Sequence, residues 1–451
     1  MLIAENRGKL RVSGHDSRGP KIGKPKIGKE EAMKRHLMLL AAGATVAAPA
    51  FAETLDFLCY QDGNECDVII DLAADFTAIT GHRVNVNTVG YDIIRDQLEN
   101  QLAAGDSPDI ARVTNLGGLN QYYLDLSPYV DAAYWEANYG ATLPWFRAAD
   151  GSDAKAIYGW MTGLTVTGPY VNLTFFEDAG VELPPEGASW DDWATALMEV
   201  KETLGLDAGL AMDRTAHRWA GPAFSYGAQF FDDAGQPLLV DDGFRTYAQV
   251  FLGWHDSGLM PAEGWPAGAN TQYRNAAPLF TSGDVAMHVS GSWMLNNYDA
   301  NITDFEWAAV PMPCGPGGCG AMPGGAAMVA FKDTQVPEAA ALFLDWMASE
   351  EVAAAFASAT KQITAHQGLQ ASGVDYAGAS PAVANGLSVF AANAGKAADT
   401  TPQAYTFQGY PKNFVIYGVV PDYITQAIKG DITLDEALAG IDADVAAKIA
   451  E

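Results

Sequence analysis

From residue 54 onward, short apolar runs alternate with amphipathic stretches. TLDFLCY (54–60) is an apolar run of strand length, followed by the loop QDGNECD. Beyond it Val68, Ile69, Leu72, Ala73 and Phe76 recur on one helical face, which predicts a helix over about 67–80, stopped by Gly81. RVNVNTV (83–89) alternates as a second strand, a further helix is expected over about 92–104 before Gly105, and SPDIARV (107–113) supplies a third strand. This β-α-β-α-β rhythm implies an α/β fold built on a parallel, helix-covered sheet.

A second α/β region follows. GLTVTGPYVNL (163–173) is strand-like, SWDDWATALMEVKETLG (189–205) is a capped helix, PGGAAMVAF (323–331) is another strand, and PEAAALFLDWMASEEVAAAFASA (337–359) is a long helical stretch. The last third is alanine-rich and helical. With neither an internal repeat nor a long linker, two such regions imply a chain that passes between them more than once. Within LFTSGDVAMHVSGSW (279–293), the apolar run Val285–Val289 leads through Ser290-Gly291-Ser292 to Trp293. Ligands of open α/β sheets collect at the carboxyl ends of strands, where small residues permit close backbone approach. Trp293 therefore either presents a stacking surface to a ligand or plugs the core.

The N-terminal segment changes the picture of charge. Lys34-Arg35, the apolar LMLLAAGATVAA and Ala50-Phe51-Ala52 have the plan of a secretory signal peptide over 33–52, too short to span a bilayer. Met33 is then the expected start, residues 1–32 an upstream extension, and Glu53 the expected first residue after processing. Residues 1–52 hold 10 of the 26 basic and 4 of the 55 acidic residues, which leaves 16 basic and 51 acidic, a net of −35. A surface so negative repels phosphate backbones and anionic lipid, so nucleic acid and membrane-surface partners are disfavoured, and a monomer in the periplasm is expected.

The four cysteines fall into two close couples, Cys59 with Cys66 and Cys314 with Cys319. In an oxidising compartment two local disulfides are expected, with zinc as the competing reading. GPGGCG (315–320) matches a dinucleotide fingerprint in letters only, since a proline interrupts it and no acidic ribose partner can be placed. HExxH, Walker A and GxSxG motifs are absent, and seven histidines, two of them in the leader, do not suggest a metal centre. No cofactor is expected.

Several stretches together resemble one family. ITGHRVNVNTV (79–89), LAAGDSPDIARV (102–113), TVTGPYVNLTFFEDAGVELPP (165–185) with SWDDW, LFTSGDVAMHVSGSW and PEAAALFLDWMASEEVAAAF are similar, in order and spacing, to the solute-binding proteins of ABC importers, extracellular family 1, the maltose-binding-protein-like group. The resemblance implies a two-lobed periplasmic-binding-protein fold that closes on a sugar and delivers it to permease subunits in the inner membrane. Carried onto this chain, it implies an N-terminal lobe of 53–160 plus 324–365 and a C-terminal lobe of 161–323 plus 366–451, with the family's cleft tryptophan at Trp293.

A sugar needs planar hydrogen-bonding groups for its hydroxyls and aromatic faces for its C–H surfaces. The strand-end loops offer Gln61 and Asp62 inside the Cys59–Cys66 loop, then Asp109, Arg112 and Asn115 around the third strand. Trp160, Trp219, Tyr226, Arg274, Gly324, Gly325 and His366 complete the candidates. Each has a plainer reading, as a turn cap, surface ion pair or core residue. Two rivals stand beside the sugar receptor. One is a receptor for an anionic glycerol phosphodiester or sulfonated sugar, which would use Arg112, Arg218 or Arg274 as bidentate partners. The other is an exported glycoside hydrolase.

Overall fold

The computed structural model describes residues 52–232, 235–265, 273–400 and 402–450; the expected leader and the segment before it lie outside the described residues. Ten strands follow in chain order: β1 (Thr54–Tyr60), β2 (Arg83–Val89), β3 (Ile110–Val113), β4 (Gly159–Asn172), β5 (Ala208–Met212), β6 (Phe230–Phe231), β7 (Pro237–Leu238), β8 (Val285–Gly291), β9 (Trp307–Ala309) and β10 (Pro323–Ala330). Except for the β6–β7 pair they share one sheet, ordered β2-β1-β3-β10-β4-β8-β5, with β9 also paired to β4.

The parallel expectation holds at both ends of this sheet, where β1 pairs with β2 and β3, and β5 pairs with β8. It fails in the middle. β10 runs antiparallel to β3 and β4, and β4 antiparallel to β8 and β9. The reason is topological: β4 and β10 carry the chain from one half of the sheet to the other and back, so they lie side by side in opposite directions.

Buried apolar residues form two clusters, one on each side of these crossings. The first draws on β1–β3, the helix Glu65–Thr80, and the helices Pro337–Met347 and Glu350–Thr360. The second draws on β5 and β8, the helices Trp190–Leu204 and Asp242–Asp256, and the C-terminal helices from Pro381 onward. These are the cores of the two lobes. Leu369 packs in the first core, so the chain remains with that lobe beyond the crossing expected at residue 366.

Local rules account for most elements. Ser189 caps Trp190–Leu204 through a reciprocal capping box with Asp192, and Gly205 ends that helix in the left-handed conformation. The helix expected over 92–104 breaks at Gln97 into Tyr91–Asp96 and Leu98–Ala104, and the stretch after Pro337 breaks at Ala348-Ser349, where Ser349 is extended. Both disulfides are formed: Cys59–Cys66 closes the loop after β1, and Cys314–Cys319 closes the glycine-rich turn that imitates a dinucleotide fingerprint. Among the described residues no helix is long and apolar enough to cross a membrane.

Candidate ligand-binding site

Between the two cores lies a cavity of about 110 Å³, several times the roughly 10–15 Å³ that one water requires on the same measure. Its wall is composite. The first lobe contributes Tyr60, Asp62, Tyr91, Arg95, Arg112 and Thr114, and the crossing strands contribute Thr165, Gly325 and Ala326. From the second lobe come Thr215, His217, Arg218, Tyr273 and Trp293, with Gln408, Phe414 and Tyr417 from the C-terminal helices.

In the first lobe the side chains come from the carboxyl-terminal sides of β1 and β3 and from the helix Tyr91–Asp96 that follows β2, as the open-sheet rule requires. Arg112 is buried; it donates Nη1 to the Tyr60 carbonyl at 2.9 Å, and its guanidinium lies 4.2 Å from the centre of the Tyr60 ring. Its Nε is buried with no hydrogen-bond partner in the protein. Asp62 Oδ2 stands 3.9 Å from Arg112 Nη1, close enough for charge attraction and too far for a hydrogen bond. Beneath it the buried Glu65 accepts the backbone N–H groups of Asp62 and Gly63 and the amide of Gln362. Burial, then repulsion from Glu65, pushes the Asp62 carboxyl up to about 6, although a third of the side chain still meets solvent. Asp62 thus takes a proton near neutral pH more readily than an ordinary surface carboxylate.

In the second lobe the organising group is Asp213, fully buried just past β5. It accepts the Ala276 N–H at 2.9 Å and the Ser290 hydroxyl at 2.6 Å, and bonds to His288 Nε2 at 3.0 Å; Arg218 Nε lies 3.4 Å away. Burial alone would raise this carboxyl, but His288, Arg218 and Ser290 outweigh it and hold it down at about 2. Arg218 donates Nη1 to His217 Nδ1 at 2.8 Å, which leaves the His217 proton on Nε2, toward the Pro323 carbonyl. Burial, helped by the neighbouring guanidinium, depresses His217 well below the usual histidine range, so it stays neutral. The Arg218 guanidinium then lies over aromatic surface, 4.0 Å from the centre of the Trp293 ring and 5.5 Å from that of Tyr273.

Trp293 therefore reaches the cavity, but not as the open stacking platform foreseen from the sequence. Arg218 covers one side, and its six-membered ring packs so closely on Gly291 that a Cβ there would sit 2.0 Å from Cζ3. Of the small residues before Trp293, Gly291 admits the indole, while Ser290 bonds to Asp213 and Ser292 accepts the Val166 N–H. Asp62, Arg112 and Gly325 also line the cavity.

The remaining candidates lie elsewhere. Gln61, just past the end of β1, does not line the cavity; its Oε1 is buried with no hydrogen-bond partner in the protein. Asp109 precedes β3, at the wrong end of the strand; its carboxylate accepts from the Asp56 N–H and the Thr334 hydroxyl. Asn115 caps the turn at Gly118. Trp160 is buried in the first core, where it donates to the Tyr139 hydroxyl. Trp219 is buried in the second core, 4.2 Å from Phe244 and 4.6 Å from Tyr247 in ring centres, and Tyr226 stacks on the far side of Tyr247. Arg274 is exposed and pairs through its backbone with Arg214, while its neighbour Tyr273 reaches the cavity. Gly324 makes room for His217, whose Nε2 lies 2.9 Å from where its Cβ would be. His366 caps the helix Gln367–Ser372 by accepting the Leu369 N–H, and contacts the Tyr134 hydroxyl.

Sequence reasoning missed Asp213, His217 and Tyr273, along with Tyr60, Tyr91 and the C-terminal Gln408, Phe414 and Tyr417. Asp213 to Arg218 follow a buried strand directly, which was a usable signal. The C-terminal residues gave none, because they sit on helices far along the chain.

No curated protein matches this chain. The model of the bacterial extracellular solute-binding protein family matches residues 64–354. Among solved structures, an ABC substrate-binding protein from Listeria monocytogenes in complex with cycloalternan is 16% identical, covering 88% of this chain and 99% of its own, with a TM-score of 0.73. An ABC transporter solute-binding protein from Thermotoga lettingae bound with α-D-tagatose is 16% identical, covering 87% and 99%, with a TM-score of 0.71. One from Agrobacterium vitis with bound D-mannitol is 17% identical, covering 88% and 98%, with a TM-score of 0.69. Their shared two-lobed fold and the family match over most of the chain lead to one assignment: this protein belongs to the bacterial extracellular solute-binding proteins, the receptor components of ABC importers.

Proposed function

We propose that the protein is exported to the periplasm, captures a small carbohydrate or sugar derivative in the cavity between its lobes, and presents it to the permease of an ABC importer. The observation that carries this reading is the composite wall. Arg112 and Asp62 on one lobe face His217 and Arg218 on the other across a single cavity, so a ligand meets its full set of partners only when the lobes are together. Binding then favours the closed form by population shift. Other contacts already bridge the lobes: Asn296 donates to Asn64 at 2.9 Å, and the Tyr91 and Tyr273 rings meet edge to face at 6.0 Å. On this reading the ligand-contacting residues are Asp62, Arg112, Arg218 and Gly325, with Trp293 as the support of Arg218.

A receptor role is favoured over hydrolysis by the carboxylates. Glycosidases set two carboxyl groups on either side of the scissile bond. Among the described residues at the cavity wall Asp62 is the one carboxylate, and Asp213 is sealed behind Arg218. A thermal-shift screen of the purified protein against mono- and disaccharides, polyols and sugar acids tests the proposal. A true ligand at 100 times its Kd adds about 2.7 kcal/mol of stability. Release of product beyond one equivalent per protein would replace the receptor with an enzyme.

A further inference from the structure

We propose that the captured solute is a monosaccharide-sized sugar carrying one oxyanion group, and that this group takes the place of the Asp62 carboxylate beside Arg112 and Arg218. The inference rests on the receptor reading above and narrows its ligand class.

Three observations carry it. The first is the concentration of arginine. Residues 53–451 contain eight arginines, and three of them, Arg95, Arg112 and Arg218, line this one small cavity. The second is what covers the aromatic rings. A neutral sugar is held by bare aromatic faces, yet Tyr60 carries Arg112, Trp293 and Tyr273 carry Arg218, and Tyr91 lies under Arg95 at 5.8 Å. A guanidinium over a ring still directs N–H groups outward in its own plane, which suits recognition of a carboxylate, sulfonate or phosphate. Arg95 already gives Nε and Nη2 to Asp96, and Arg218 gives Nε to Asp213 and Nη1 to His217, so Arg112 with the Nη2 of Arg218 is the pair that would meet the oxyanion. The third is the unused donor. Arg112 Nε is buried and unpartnered, and Asp62 is too distant to satisfy it. A buried donor of this kind is destabilising until something accepts from it.

The other carboxylates nearby cannot serve. Glu65 and Asp213 spend their oxygens on backbone, hydroxyl, amide and imidazole groups. Glu65 offers no acceptor to either arginine, and Asp213 reaches only Arg218 Nε, at 3.4 Å, so neither supplies the buried Arg112 Nε. Asp62 differs: its backbone N–H, not its carboxyl, holds the loop. The charged or titratable groups around it are Tyr60, Glu65, Tyr91, Arg112, Asp213, Arg218 and Tyr273. With Asp213 held as a carboxylate, an incoming anion is accommodated best when Asp62 is protonated, so the anion and a proton bind together.

Calorimetric titration of matched probes tests this: glucuronate against glucose, galacturonate against galactose, and glucose 6-phosphate and 6-deoxy-6-sulfoglucose against glucose. At least one charged probe should bind at least about tenfold tighter than its neutral counterpart, and the preferred probe identifies the oxyanion as carboxylate, phosphate or sulfonate. For a uronate or sulfonate, whose charge is constant over the window, affinity should rise about tenfold from pH 7.5 to pH 5.5 as Asp62 takes its proton. Asp62→Asn should retain or strengthen binding of the charged probe and flatten its pH dependence, and Arg112→Lys should weaken it about tenfold or more. Equal or tighter binding of the neutral sugars, or a tenfold loss with Asp62→Asn, overturns the proposal and leaves the receptor reading intact, since Asp62 would then be accepting from sugar hydroxyls. If no sugar of either kind binds, the receptor reading falls and this inference with it.

Discussion

Gly291 is extended (φ −177°), so its backbone asks for no glycine; what it lacks is a side chain in the way of Trp293. Gly291→Ala would set a methyl 2.0 Å from Cζ3 and 2.7 Å from the Val166 carbonyl, forcing the indole off its seat. Overpacking of this kind costs about 1–3 kcal/mol. Because Arg218 rests on that indole, ligand affinity should fall further than the stability loss explains; a denaturant melt and a titration on one preparation separate the two effects. At this scale the sequence was half legible. The turn of small residues before Trp293 announced a close approach, but not that an arginine would be the third partner, because residues 218 and 293 meet only through tertiary packing. Trp160 and Trp219 misled for a related cause: a tryptophan's letter does not reveal which face of its element is buried.

The loop from Cys59 to Cys66 joins β1 to the helix Glu65–Thr80 and holds Asp62 at the cavity wall. A bridge spanning so few residues contributes about 2–3 kcal/mol by restricting the unfolded chain. Its local effect matters more, since Asp62 has only the loop backbone and Glu65 to fix it. A Cys59→Ser/Cys66→Ser double variant should lower the Tm by several degrees and weaken ligand binding, with the weakening concentrated in a faster off-rate, as surface plasmon resonance would record. Elements such as this were well marked in the chain by periodicity, by glycine stops and by the cysteine couple. The antiparallel middle of the sheet was not, because strand direction depends on the path between lobes rather than on any local pattern.

Across the whole molecule, the lobes also meet directly, and Gly409 packs against Gly117 and Trp145. The Asn296–Asn64 hydrogen bond and the Tyr91–Tyr273 edge contact join the lobes through the protein's own side chains. Each adds to the bias toward closure, and any such bias strengthens apparent affinity. Asn296→Ala removes one hydrogen bond, about 1 kcal/mol, and should weaken ligand binding about fivefold with the Tm of the ligand-free protein nearly unchanged. An undiminished affinity in calorimetry would show that closure is set by the ligand alone. The placement of β10 has a different consequence, one of timing. It lies between β3 and β4 in the sheet, yet it is made after β8 and β9. As the polypeptide emerges from the ribosome, the amino-terminal half must therefore wait, its sheet unfinished, until residue 330 has been synthesised. Neither lobe's share of the sheet is complete before most of the other lobe has been made.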